Sequence, residues 1–128
     1  MKKKILIIED EKELCELLKI RFENIKLQVT IANDGEAGLK AAQKENPDLI
    51  ILDLMLPKLS GEEVCKAIRK LKDEKLARVP IIMLTAKSTE TDKTIGRIIG
   101  ADAYIVKPFD AAELLETMGE LLGQKFHP

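Results

Sequence analysis

The sequence contains little of what marks metal-binding, disulfide-bonded or secreted proteins. Its 128 residues include only two cysteines, one histidine and 3% aromatic residues. Cys15 and Cys65 both lie in helical patterns, and no Cys/His cluster accompanies them. Neither a cysteine–histidine metal site nor a disulfide framework is therefore indicated. The one histidine, His127, belongs to the segment 125–128, which we predict to be a frayed C-terminal tail.

Long apolar runs and an excess of charge of one sign are also missing. No run approaches the roughly 18 apolar residues of a transmembrane helix. The formal net charge is -1, which gives no sign of a nucleic-acid or membrane-binding surface. Three lysines follow Met1, as in a signal peptide, but the acidic residues 9–11 interrupt the apolar run after them. We therefore predict a cytoplasmic protein that binds neither nucleic acid nor membranes.

What the sequence does contain is a regular alternation of two patterns. Five short apolar runs, typical of buried strands, alternate with five segments of helical spacing; the runs begin near Ile5, Gln28, Leu49, Pro80 and Ala103. Helix starts are marked by capping residues, such as Ser60 with Glu63 three positions later, and Ser88 or Thr89 after the fourth run. Residues 72–78 are predicted to be a charged connection. The alternation predicts an α/β fold, with a parallel sheet covered by helices on both faces. Residues 1–124 form one predicted domain, which the tail 125–128 follows.

Polar side chains stand where the predicted strands end. Leu49–Asp53 is apolar on both faces and closes on a carboxylate, while Glu9 and Asp10 close the first strand. Thr85 closes the fourth strand and Lys107 the fifth. Because the carboxyl ends of parallel strands share one edge of the sheet, these side chains are expected to converge. Taken alone, Asp53 could simply cap a turn, and the acidic pair could favour the start of a helix.

Three converging carboxylates call for a positive partner. Mg²⁺ takes one or two carboxylates and completes its shell with water and phosphate oxygens, so it is the predicted ion. The backbone carbonyl of Met55 is a further candidate ligand. A carboxylate beside Mg²⁺, a hydroxyl and an ammonium can accept a phosphoryl group as an aspartyl-phosphate. Asp53 is the candidate nucleophile, Lys107 a source of charge and Thr85 a hydrogen-bond donor.

These residues resemble the receiver domain of response regulators in two-component signalling. The resemblance covers about the whole chain and is carried by four motifs in order: Ile-Glu-Asp-Glu at 8–11, Asp-Leu-Met-Leu-Pro-x-x-x-Gly at 53–61, Leu-Thr-Ala-Lys at 84–87, and Gly-Ala-Asp-Ala-Tyr-x-x-Lys-Pro-Phe at 100–109. It implies a flavodoxin-like (βα)5 sheet in the strand order 2-1-3-4-5. The pair Glu9-Asp10 stands where many members have two aspartates.

The resemblance also implies roles for individual residues. Asp53 would be the phosphoacceptor, and its donor a sensor histidine kinase or a histidine phosphotransfer protein. Mg²⁺ would be bound by Asp10, Asp53 and the Met55 carbonyl, and by Glu9 through water. Lys107 would pair with the phosphoryl group, and the peptide bond after it would be cis. Thr85 and Tyr104 would be the switch pair.

The implied output surface consists of the fourth helix, the fifth strand and the fifth helix. A downstream effector protein or domain would bind there, and a phosphorylation-dependent dimer would use the same surface. Gly96, inside the fourth predicted helix, would let this helix reposition or pack closely. Met55 and Lys87 occupy positions that influence the lifetime of the phosphoryl group in the family.

Three alternatives remain open or disfavoured on the sequence alone. The chain could be a stand-alone receiver or the receiver half of a longer DNA-binding regulator. An aspartate-nucleophile phosphohydrolase would usually carry a second Asp where Met55 stands. A flavin-binding module would need a Ser/Thr/Gly-rich phosphate loop after the first strand, where this chain has Glu-Asp-Glu. The receiver is expected to catalyse its own phosphorylation and dephosphorylation without being a turnover enzyme.

Overall fold

The computed structural model describes residues 2–86 and 100–126. Within these ranges the strands are β1 Lys4–Ile8, β2 Gln28–Ala32, β3 Leu49–Asp53, β4 Ile81–Thr85 and β5 Ala103–Val106. The helices are α1 Lys12–Asn24, α2 Gly35–Glu45, α3 Gly61–Arg69, α4 Glu74–Ala77 and α5 Ala111–Leu122. The strands form one parallel sheet in the order β2-β1-β3-β4-β5. The predicted α/β fold and strand order are confirmed.

The alternation of side chains along the strands divides the core into two layers. On one face, Ile5 and Ile7 of β1 pack with the apolar sides of α1 and α5. On the other face, Leu6 and Ile8 pack with α2 and α3. All five residues of β3 are buried, since both faces of this central strand are covered by helices. Burial on both faces explains why the central strands appear in the sequence as continuous apolar runs.

Two segments between β3 and β5 need separate comment. One differs from the prediction, and the other lies outside the described residues. The predicted charged connection 72–78 contains the short helix α4, whose first turn is capped by the Asp73 side chain, which accepts a hydrogen bond from the Leu76 N–H at 3.2 Å. The helix predicted after β4, with its caps Ser88 or Thr89 and with Gly96, lies outside the described residues, as do Lys87 and His127.

Arg69, the last residue of α3, ties several segments together at the amino end of the sheet. Its guanidinium donates hydrogen bonds to the carbonyl oxygens of Ala77 (3.0 Å), Val79 (2.7 Å) and Gly100 (2.7 and 2.9 Å). It also pairs with the Asp102 carboxylate at 2.9 Å, which in turn accepts the N–H of Ile81 at 2.8 Å. One side chain thereby connects α3, the entry to β4 and the entry to β5.

The chain after α5 turns back along that helix. Gly123 ends α5 in the left-handed conformation, and the N–H of Gln124 bonds to the Gly119 carbonyl at 3.0 Å. Phe126, in the predicted tail, is half-buried and packs against the core layer that contains α1 and α5. The division into a domain of residues 1–124 and a tail of 125–128 stays a prediction.

The helices are short compared with the thickness of a bilayer. None of those in the described ranges is long and apolar enough to cross a bilayer.

Candidate functional site

The end of β1 is held by contacts to its backbone as well as to its side chain. Glu9 is fully buried, and its N–H continues the ladder to the Ala32 carbonyl at 2.9 Å. Its own carbonyl accepts hydrogen bonds from the Asn33 side-chain amide at 2.9 Å and from the Cys15 thiol at 3.3 Å. Burial, together with the nearby charge of Glu9, raises the pKa of Cys15 to about 11, so the thiol keeps the proton that it donates.

Asp53, at the end of the central strand β3, is also nearly buried, at 5% exposure. One oxygen of its carboxylate accepts the N–H of Met55 at 3.1 Å. Gly61 lies against the backbone of Asp53, and a Cβ atom at position 61 would collide with the Asp53 carbonyl oxygen. The absence of a side chain at Gly61 therefore lets α3 begin directly behind the carboxylate.

Thr85 and Lys107 enter from the adjoining strands β4 and β5. Thr85 is fully buried, and its carbonyl accepts the N–H of Lys107 at 2.6 Å, which extends the pairing of the two strands by one residue. The peptide bond between Lys107 and Pro108 is cis, as predicted from the resemblance. The pairing with Thr85 places Lys107 at the same sheet edge as Asp53.

The Lys107 ammonium contacts three carboxylates. Its Nζ atom lies 2.5 Å from Glu9, 3.2 Å from Glu11 and 3.4 Å from Asp53. Burial lowers the pKa of Lys107, but the hydrogen bond to Glu9 and the charge of Asp53 outweigh it and hold the pKa above its ordinary value. The lysine is therefore charged throughout the neutral range and serves as the counter-charge inside the site.

The acidic side chains form a group suited to a hard divalent cation. One carboxylate oxygen from each of Glu9, Asp10 and Asp53 lies within 4.8 Å of the others. Glu9 and Asp53 are buried, whereas Asp10 is exposed, so the group opens to solvent on one side. Oxygen donors with access to water match the preference of Mg²⁺, and the residues present fit that ion.

The structure brings together Glu9, Asp10, Asp53, Thr85 and Lys107 at the carboxyl edge of the sheet, as the sequence predicted. Met55, two residues after Asp53, is 61% exposed, and its backbone N–H bonds to the Asp53 carboxylate. Two participants were not predicted: Glu11, which contacts Lys107, and Asn33, which holds the Glu9 carbonyl. Glu11 stood inside the first motif, and its charge next to the acidic pair was the available signal.

Tyr104, the other half of the predicted switch pair, lies in β5 beside Met83 of β4. Its side chain is half-buried and packs against the core layer that contains α2 and α3. Its hydroxyl is buried and has no hydrogen-bond partner among residues 2–86 and 100–126. No hydrogen bond from the described residues therefore holds the ring in this position. A buried hydroxyl that lacks a partner destabilises the folded state.

Replacing Tyr104 by phenylalanine is expected to raise the free energy of unfolding by about 1 kcal/mol, because a buried hydroxyl with no partner in the described part of the chain is removed while the ring stays. Urea denaturation of both proteins, with the slope of the transition compared, measures the change. A loss of stability of that size would contradict the expectation and would show that the hydroxyl is hydrogen-bonded in the folded protein.

Comparison with known proteins assigns the chain to a protein family. The sequence model of one family, the response regulator receiver domain, matches residues 5–119. The alkaline phosphatase synthesis transcriptional regulatory protein PhoP of Bacillus subtilis is 49% identical over 89% of this chain and 46% of its own length. The response regulator ArlR of Staphylococcus saprophyticus is 45% identical over 93% of this chain and 52% of its own. The chain thus spans about half the length of these curated relatives.

Solved structures agree with the sequence relatives. The chemotaxis protein CheY4 of Vibrio cholerae superposes with a TM-score of 0.87 at 31% identity, over 95% of this chain and 100% of that one. The receiver domain of the sensor histidine kinase PA1611 of Pseudomonas aeruginosa, which has a magnesium ion coordinated in its active site cleft, gives a TM-score of 0.86 at 29% identity, over 97% of this chain and 100% of that one. This chain belongs to the response regulator receiver domain family.

Proposed function

We propose that this chain is the phosphoacceptor of a two-component or phosphorelay system and that Asp53 receives the phosphoryl group. The observation that carries the proposal is a nearly buried carboxylate with an ammonium 3.4 Å away and two further acids beside it. Such an arrangement suits charge neutralisation during phosphoryl transfer better than acid–base chemistry. The donor is a sensor histidine kinase or a histidine phosphotransfer protein.

The proposed reaction is a displacement at phosphorus. A carboxylate oxygen of Asp53 forms the new P–O bond, while the bond from phosphorus to the donor breaks and its electron pair stays with the donor. The Met55 N–H fixes one carboxylate oxygen, and the Lys107 ammonium faces the other. Both donors orient the nucleophile, and Lys107 and the Thr85 hydroxyl then bond the phosphoryl oxygens.

We assign the Mg²⁺ site to Asp10, Asp53, the Met55 carbonyl and, through water, Glu9. When bound, Mg²⁺ would offset the charge of these carboxylates and of the phosphoryl oxygens. The residues of the chain do the rest: they position the carboxylate, exclude solvent from Glu9 and keep Lys107 charged.

The output is proposed to be a population shift. A phosphoryl group on Asp53 adds charge and acceptor oxygens that favour the arrangement in which Thr85 and Lys107 bond to it. Tyr104 lies on β5 next to β4, so its ring would report that change to the surface formed by the predicted fourth helix, β5 and α5. A downstream effector reads that surface, and dimerisation through it and a cytoplasmic location remain predictions.

Intact-mass spectrometry after incubation with acetyl phosphate tests the proposal. The native chain is expected to gain one phosphoryl group in the presence of Mg²⁺ and none when Mg²⁺ is removed by a chelator. Asp53→Asn is expected to gain none under any condition, because an amide lacks the nucleophilic oxygen. Its folding should persist, since the amide oxygen can still accept the Met55 N–H.

Asp73→Asn provides a matched control for this test. Asp73 caps α4 away from the site, and asparagine caps helices equally well, so this variant should be phosphorylated like the native chain. An adduct on Asp53→Asn, or no adduct on the native chain despite Mg²⁺ binding, would refute the proposal. Steady turnover of an external phosphoester would instead indicate a hydrolase, a class outside this family of signalling proteins.

One observation favours a second candidate, in which this chain is the receiver half of a longer DNA-binding regulator. Among the relatives, PhoP is named a transcriptional regulatory protein, and this chain matches 46% of its length. In that case the effector domain would follow α5, and phosphorylation would control DNA binding. Reading the open frame of the gene beyond residue 128 decides between the two candidates.

A further inference from the structure

Glu11 is placed in a way that neither capping nor metal binding explains. It is the residue before α1, yet its side chain makes no hydrogen bond that caps the helix. Its side chain is 62% exposed and directed to Lys107, with 3.2 Å between the carboxylate and Nζ. Its backbone N–H meanwhile donates to the Glu9 carboxylate at 3.0 Å. Glu11 therefore contacts both partners of the Glu9–Lys107 ion pair.

The three carboxylates around Lys107 are not equivalent. Glu9 and Asp53 belong to the group suited to a cation and lie inside the protein, at 0% and 7% side-chain exposure. Glu11 stands outside that group, towards solvent. The ammonium, 2.5 Å from Glu9 and 3.4 Å from Asp53, competes with a cation for the same oxygens and repels it. An ammonium held towards Glu11 leaves those oxygens more available.

We propose that Glu11 is a positioning residue that draws the Lys107 ammonium away from Glu9 and Asp53 towards solvent and thereby favours Mg²⁺ binding by the inner carboxylates. This inference rests on the proposed function. Glu11 itself does not bind the ion or the phosphoryl group; it acts through Lys107. Without it, Glu9 and Asp53 are the carboxylates of the described structure that share the ammonium, and Mg²⁺ has to displace it from both.

Isothermal titration with MgCl₂ of the native chain and of Glu11→Gln tests the inference without any phosphorylation. We expect Glu11→Gln to bind Mg²⁺ about fivefold more weakly, the scale of a contact with an exposed carboxylate. Thermal unfolding in magnesium-free buffer checks that the variant folds like the native chain, as its exposure leads us to expect.

Loss of a negative charge near a cation site weakens binding somewhat at any position, so a charge-matched control is needed. Glu13→Gln removes the same charge from the exposed first turn of α1, and Glu13 is not among the carboxylates that contact Lys107 in the described structure. We expect it to change Mg²⁺ affinity less than twofold, because exposed charges are screened by salt. Equal effects of the two substitutions would overturn the inference.

Combining each substitution with Lys107→Met shows whether Glu11 acts through the lysine. In that background Glu11→Gln should weaken Mg²⁺ binding no more than Glu13→Gln does. A fivefold effect that persists without Lys107 would overturn the inference, since Glu11 would then act on the ion directly. A native chain that binds no Mg²⁺ refutes both this inference and the proposed site, whereas binding without phosphorylation refutes the proposed function alone.

Discussion

Replacing Lys107 by methionine is expected to lower the free energy of unfolding by about 3 kcal/mol in magnesium-free buffer, because it breaks an ion pair whose other partner is buried. Glu9 has no exposed surface, and its carboxylate lies 2.5 Å from the ammonium. Methionine keeps much of the apolar stem of lysine but leaves Glu9 and Asp53 facing each other and Asp10 without the neutralising charge. Chemical denaturation in the presence of a chelator measures the loss.

Added Mg²⁺ should restore this variant more than it stabilises the native chain. A ligand that binds only the folded state adds about 2.7 kcal/mol when its concentration is 100 times the dissociation constant. In the variant no ammonium competes with the ion for Glu9 and Asp53, so binding should be tighter. Lys40→Met is the control: Lys40 is 77% exposed and pairs with Glu36 at 3.8 Å, so its loss should cost at most about 0.5 kcal/mol. Equal stability of the two variants without Mg²⁺ would show that Lys107 does not hold the carboxylates together.

Replacing Arg69 by methionine is expected to cost about 3 kcal/mol as well, although the residue is remote from phosphoryl chemistry. Its guanidinium satisfies three backbone carbonyls and the Asp102 carboxylate, and its side chain is only 21% exposed. Methionine fills the space of the stem and offers no donor, so these acceptors lose their partner. Some of them can be rehydrated at the surface, which keeps the loss below the sum of the individual bonds. Urea denaturation gives the difference.

A second cation on the same helix provides the comparison for Arg69. Lys66 in α3 pairs with Glu62 four residues earlier at 3.2 Å, and both side chains are about half exposed. Lys66→Met should therefore change the free energy of unfolding by no more than about 0.5 kcal/mol. If both substitutions on α3 had the same small effect, the hydrogen bonds of Arg69 would not be a significant source of stability.

The central part of the fold could be predicted because a strand that is buried on both faces has a continuous run of apolar residues. The first four residues of β3 are all apolar, and Asp53 follows where the run ends. Because the strands are predicted to be parallel, their carboxyl ends share one edge of the sheet. Asp53, Thr85 and Lys107 can therefore be grouped from the sequence alone. The order of the strands came from the resemblance to receiver domains and is confirmed by the structure.

Contacts that depend on where long side chains reach could not be predicted in this way. Nothing in the local pattern of Arg69 tells that it will reach carbonyls as far along the chain as residue 100. In the sequence, Glu11 resembles any exposed acid at the start of a helix. Only the fold places its carboxylate 3.2 Å from the Lys107 ammonium. The helix α4 was missed because its four residues are too few for a periodic pattern, and its single cap at Asp73 lies within a charged stretch.

The assembly of the site from distant parts of the chain has a consequence for how the protein folds and is used. Lys107 meets Glu9 across 98 positions and Asp53 across 54. These contacts need β1, β3, β4 and β5 to have joined the sheet, and pairings so far apart in sequence are slow to form because loop closure costs entropy. A nascent, partly unfolded or misfolded copy would contain Asp53 but not the assembled site around it. Under the proposed function, a phosphoryl group would therefore be accepted by folded molecules alone.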